Sequence, residues 1–87
     1  MTNKTIKFSD RRLKENIVLL GQVAGFNVYS YNYLGKTTTE IGVIAQELLE
    51  TEYAHAVKIN DAGFYQVNYM ELPDLELELG LKTAAKE

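Results

Sequence analysis

Size constrains this chain more than any other feature of its sequence. With 87 residues it can build one domain, residues 1–87, and folding buries about 60–65% of the surface that an unfolded chain of this size exposes. Its own core therefore gives modest stability, which contact with a partner subunit would raise. A balance of 46% hydrophobic to 24% charged residues belongs to a folded domain rather than a disordered tail. Cysteine is absent, which excludes disulfides, thiolate nucleophiles and thiolate metal sites. A net charge of −3 argues against a broad hold on nucleic acid or an anionic membrane, since both need clustered positive charge. The longest apolar run, Ile17 to Leu20, is far too short to span a bilayer. Residues Met1 to Phe8 contain no secretory apolar region, so cytoplasmic synthesis is expected.

A single proline and no low-complexity stretch interrupt the sequence, so neither a linker nor an internal repeat is expected. Ile6 and Phe8 share one face of a short strand over Thr5 to Phe8. Ser9 and Asp10 supply two N-cap residues ahead of Arg11 to Ile17, which reads as a short helix with Leu13 and Ile17 on its buried side. Phe26 to Tyr33 has strand periodicity, with Phe26 and Val28 on one face and Tyr29, Tyr31 and Tyr33 on the other. A turn at Leu34 to Lys36 ends it. Ile41 to Ala45 reads as a short buried strand or a helix entry, followed by a helix through Gln46 to Glu50. Val57 to Ile59, a turn at Asn60 to Gly63, and Phe64 to Tyr69 give a hairpin signal. The last segment has strand alternation at Leu75, Leu77, Leu79 and Leu81. Leucine and glutamate favour helix, however, and Pro73 suits a first helical position, so a C-terminal helix is expected. Its stripe of Leu72, Leu75 and Leu79, widened by Leu77 and Leu81, would need cover on two sides, as between subunits. The expected class is α+β: a few short antiparallel strands and two to three helices, the last C-terminal.

Residue types that often carry chemistry have structural readings here. His55 is the only histidine, so it cannot assemble a histidine metal cluster and reads as a structural polar group. Glu47, Glu50 and Glu52 read as the solvated face of a short helix rather than an acid–base pair. Tyr29, Tyr31, Tyr33, Tyr65 and Tyr69 could form a stacking face for bases or sugars, but a core or subunit interface is the better use of so many tyrosines. Gly35 to Thr38 echoes the end of a phosphate loop without its upstream glycine. No cofactor and no metal is expected.

Three stretches carry a resemblance. They are Ser9-Asp-Arg-Arg-Leu-Lys-Glu-Asn-Ile17, Ile41-Gly-Val-Ile-Ala-Gln-Glu-Leu48, and Gly63-Phe-Tyr-Gln-Val-Asn-Tyr69 followed by Leu72. In this order they resemble the S-D-x-x-L-K-x-N-I, I-G-x-I-A-Q-E and G-x-x-x-V-x-Y-x-x-L signatures of the endosialidase-type intramolecular chaperones. Gly25-Phe-Asn-Val-Tyr-Ser-Tyr31 is similar to a tyrosine-bearing strand of that family, and the likeness runs from about residue 9 to 79. The resemblance implies a module that ends trimeric phage tail fibres and spikes, helps an upstream β-rich stalk to fold, and then cuts itself off. It also implies that the cut falls before Ser9 and uses Ser9 with Lys14 as a catalytic dyad.

Such a dyad has definite physical needs. A serine hydroxyl is a poor nucleophile until a base takes its proton. Lysine is a base only when neutral, so burial or nearby positive charge, with Arg11 and Arg12 as candidates, must lower its pKa by several units. Positions i and i+5 do not share a face of a straight helix, so Ser9 must precede the helix and fold back toward Lys14. Free N–H groups at the helix start would then be available to a developing oxyanion. The structural alternative is that Ser9 and Asp10 merely cap a helix and Lys14 is a solvated charge.

Two functional classes follow. In the first, favoured by the short lead before Ser9, the domain is retained as a small oligomeric virion protein of tail or capsid, made in the host cytoplasm. In the second, favoured by the intact Ser9 and Lys14, it is an active auto-processing chaperone for a tail-fibre or spike protein. Both predict self-association, with a homotrimer expected, and neither calls for nucleic acid or membrane as a partner.

Overall fold

The computed structural model describes residues 6–80. Eight elements follow one another: β1 (Ile6–Phe8), β2 (Lys14–Val23), β3 (Phe26–Tyr33), β4 (Glu40–Gly42), α1 (Ala45–Leu48), β5 (Val57–Ile59), β6 (Tyr65–Asn68) and α2 (Leu75–Glu78). Single 3-10 turns sit at Arg11–Leu13, Ala54–Ala56 and Tyr69–Glu71. The strands form two antiparallel three-stranded sheets, ordered β1-β6-β5 and β2-β3-β4. The fold is α+β.

β3 organises the interior because both of its faces are covered. Phe26 and Val28 lie in a cluster with Val43, Leu48, Val67 and Leu75. Tyr29 and Tyr31 point the other way and pack with Ile44, Ile17 and Tyr33. The expected split of the strand into a face of Phe26 and Val28 and a face of tyrosines is the observed one, and it divides the core in two. The β5–β6 hairpin also matches its sequence signal. Asn60 Oδ1 accepts from the N–H groups of Ala62 and Phe64 at 3.0 and 2.9 Å, an Asx-type closure that suits asparagine.

The helix expected over Arg11 to Ile17 is a correction. It stops after one 3-10 turn, and the chain enters β2 at Lys14. Asn16 takes a left-handed conformation, φ 55°, which a continuous helix cannot contain, and the ladder to β3 shifts register between Glu15 and Val18. One helical turn carries few hydrogen bonds against its nucleation cost, whereas β2 pairs with β3 from Lys14 to Val23. Tertiary pairing therefore overrides the local helix signal. Asp10 does cap the turn, accepting from the Arg12 N–H at 2.9 Å.

At the other end, α2 is a single turn capped by Asp74, which accepts from the Leu77 N–H at 3.1 Å. Pro73 therefore precedes the cap instead of opening the helix. Leu72, Leu75 and Leu79 pack on the larger cluster while Leu77 is exposed; Leu81 lies outside the described residues.

Candidate active site

The site begins where β1 hands over to the 3-10 turn. At this corner the chain leaves one sheet for the other, and Ser9 is fixed by its backbone from two sides. Its N–H donates to the Tyr65 carbonyl at 3.1 Å, and its carbonyl accepts from the Ala45 N–H at 2.8 Å. Its side chain has no exposed surface and donates to the Val43 carbonyl at 2.6 Å. Ser9 does not act as a cap.

Lys14 opens β2 and is 6% exposed. Its Nζ lies 3.1 Å from Ser9 Oγ and also donates to the Val43 carbonyl. The intervening turn folds the two residues together over a spacing at which a helix would hold them apart. Burial is the main cause that brings the lysine down to about 7, and the positive charge of Lys7 adds to it. Arg11 pushes the same way more weakly, while Asp10 and Glu47 oppose the shift. The face of the Tyr31 ring, 4.0 Å from Nζ, receives the ammonium when it is charged. A lysine poised near neutrality and within hydrogen-bond reach of a serine hydroxyl has the properties of a general base. Of the two expected sources of positive charge, Arg12 is instead committed to Asp10.

That commitment holds the corner together. Asp10, with no exposed surface, accepts from Arg12 Nε at 2.9 Å and Nη2 at 2.7 Å. It also accepts from Gln46 Nε2 at 2.9 Å and the Tyr65 N–H at 3.1 Å. The Arg12 guanidinium, with these further donors, holds the carboxyl far below its ordinary range despite burial. Arg12 reaches on to the Gly63 carbonyl, and Gln46 Oε1 accepts from the Arg11 N–H. The three stretches singled out in the sequence therefore converge on the corner from Ser9 to Arg12: the first supplies it, the second contributes Val43, Ala45 and Gln46, and the third contributes Gly63 and Tyr65. Gly42 belongs to the same packing. A Cβ there would fall 2.5 Å from the hydroxyl of the partly buried Tyr69 and 2.7 Å from that of the buried Tyr31.

The sequence matches the family described as chaperone of endosialidase over residues 9–58, more than half of the chain. The chain belongs to that family. The match begins at Ser9 and ends within β5, so the stretch from Gly63 onward lies beyond it. No curated protein and no solved structure matches. Family membership makes this an intramolecular chaperone domain of the kind associated with tail-fibre proteins.

Other sequence candidates fall elsewhere. Glu47 is not on a solvated face: its Oε2 accepts from the Tyr29 hydroxyl at 2.8 Å, whereas Glu50 and Glu52 are exposed. His55 lies on the surface, with Nε2 3.0 Å from Glu71 Oε1. Among the described residues no group of three His, Cys, Asp or Glu could hold a metal ion. No helix among them is long and apolar enough to cross a membrane. Tyr29 and Tyr31 are buried in the core, and Tyr33, Tyr65 and Tyr69 pack against it half-buried instead of forming a stacking surface. The expected free N–H groups at the turn are also absent: those of Arg11, Arg12 and Leu13 bond to Gln46, Asp10 and the Asp10 carbonyl. Lys7, Val43 and Tyr31 are parts of the site that sequence reasoning missed. Each reaches it through strand pairing or packing, which leaves no local sequence signal.

Proposed function

We propose that this domain is an auto-processing chaperone that cuts its own backbone between Phe8 and Ser9, with Ser9 as nucleophile and Lys14 as general base. The observation that carries the reading is the 3.1 Å approach of a buried lysine, lowered to about 7, to a buried serine hydroxyl. In the first step neutral Lys14 takes the hydroxyl proton as Ser9 Oγ bonds to the carbonyl carbon of Phe8. The C–N bond then breaks, and the lysine ammonium returns the proton to the Ser9 nitrogen, leaving Phe8 as an ester on Ser9 Oγ. Water hydrolyses that ester, giving a Phe8 carboxylate and a free Ser9 amine and hydroxyl. The reaction is a single self-cut, and Lys14 ends each stage as it began.

The partner in this reading is a tail-fibre or spike protein of a phage, and the assembly is a homotrimer. Supporting self-association, Val18, Leu19 and Leu20 on the edge strand β2 leave a run of apolar side chains exposed, which a second copy would cover. The same exposed run favours a second reading, in which the domain is retained uncut as an oligomeric virion subunit.

Intact mass separates the two. The protein and its Ser9→Ala variant are held at neutral pH and sampled over hours. Loss of the residues before Ser9 from the parent alone supports self-cleavage. Its rate should rise about tenfold per pH unit below 7 and level off above, as Lys14 loses its proton. Full-length protein in both samples rejects the cut and leaves the retained subunit. Sedimentation at micromolar concentration tests the assembly, and a monomer there contradicts both readings.

A further inference from the structure

Self-cleavage at Phe8–Ser9 places negative charge on the Phe8 carbonyl oxygen, and the N–H groups of the 3-10 turn are already engaged. Another donor points at that oxygen. The Tyr33 hydroxyl donates to the Phe8 carbonyl at 2.6 Å, at the short end of O–H···O bonds. We propose that Tyr33 is a third catalytic residue, the hydrogen-bond donor that polarises the Phe8 carbonyl and stabilises its oxyanion. This inference rests on the self-cleavage reading above.

Tyr33 is held for that task from several sides. It is the cross-strand partner of Lys14 in the β2–β3 ladder, so one register position delivers both the base and the donor to the same bond. Its ring packs edge-on against Tyr31, with centroids 5.3 Å apart and planes at 78°. The Tyr31 hydroxyl, 3.4 Å from that of Tyr33, lies beside it. A phenol is a neutral O–H donor at neutral pH in any case, and desolvation by burial raises the Tyr33 pKa further. In the reaction its proton stays on oxygen: the hydrogen bond strengthens as Ser9 Oγ bonds to the carbonyl carbon, and weakens when the C–N bond breaks. A donor already in place needs little reorganisation at the moment of attack. Phe8, Tyr33, Leu13 and Leu34 also border an open cavity of about 460 Å³, which leaves a path for the water that resolves the ester.

The test compares cleavage time courses, by intact mass, of the parent, Ser9→Ala, Tyr33→Phe and Tyr29→Phe. Tyr29→Phe removes a hydroxyl from the same strand that bonds to Glu47 and Asn27, and serves as the control for strand stability. Tyr33→Phe should slow the cut by roughly 10²-fold, with the control near the parental rate and both variants showing native circular dichroism. A second measurement does not depend on turnover. With a ¹³C label in the Phe8 carbonyl and Ser9→Ala as the background, adding Tyr33→Phe should move the carbonyl infrared band to higher wavenumber. Equal rates for Tyr33→Phe and the parent, or an unmoved band, overturn the role of Tyr33 while leaving self-cleavage standing. A parent that never cleaves overturns self-cleavage itself, and the catalytic role of Tyr33 with it.

Discussion

The corner at Ser9 and the edge strand β2 invert the usual distribution of residues. At the corner three polar side chains, Ser9, Asp10 and Lys14, are buried. A few residues further on, Val18 and Leu19 are each 56% exposed. The difference lies in whether the chain itself supplies partners. Ser9 and Asp10 are matched by hydrogen bonds from three separate stretches, so their burial costs little net free energy. Lys14 is matched less completely, since much of its desolvation appears as a lowered pKa instead of being offset. Val18 and Leu19 have no such cover among the described residues. In the proposed reading, the buried polarity serves self-cleavage and the exposed apolarity serves assembly.

Substitutions can break that contrast, and the largest effect belongs to Lys14. Lys14→Met should abolish cleavage in the mass assay while stabilising the fold by about 1 kcal/mol or more at pH 7, as replacing a buried charge by an apolar side chain often does. The gain has a pH signature. The folded value near 7 lies below the unfolded value of 10.5, so the cost of charged Lys14 is fully present below pH 7 and is relieved as pH rises toward 10.5. Urea melts in the uncut Ser9→Ala background should therefore show the advantage of Lys14→Met shrinking between pH 7 and 10. An advantage that does not change with pH would mean that Lys14 is not desolvated in solution.

Next in size is Asp10→Ala, which strands Arg12, Gln46 and the Tyr65 N–H together. It should cost about 3 kcal/mol in denaturant unfolding, with Asp10→Asn losing less because it keeps acceptors. A loss within experimental error would make the corner network dispensable. The smallest expected effect on stability is that of Leu19→Asp on the edge strand β2, within about 0.5 kcal/mol for the isolated subunit. The same substitution should reduce the sedimenting mass of the proposed oligomer. If it unfolds the subunit instead, Leu19 belongs to the core and the contrast fails.

Much of the fold was legible because its signals are local. The period-2 alternation of β3 and the Asn60–Gly63 turn predict structure from neighbours alone, and both hold. The stretch after Asp10 misled because Leu13 and Ile17 have helical spacing, while the left-handed Asn16 and the ladder to β3 draw the chain into a strand. Ser9 and Lys14 were legible as a pair only through the family motif, since their spacing suits a solvated lysine equally well. Tyr33 was visible as one of a face of tyrosines, with nothing to connect it to Phe8.

By itself the sequence determined a cysteine-free α+β domain, its strand periods and turns, and the family to which its motifs belong. Tertiary structure decided that Lys14 is buried and brought down to about 7, and that Val43 and Tyr33 meet the Phe8–Ser9 bond. The reason is distance along the chain. Val43 lies 34 residues from Ser9 and Tyr33 lies 25 from Phe8, so the hydrogen bonds that define the site exist only once both sheets have closed on the corner between them.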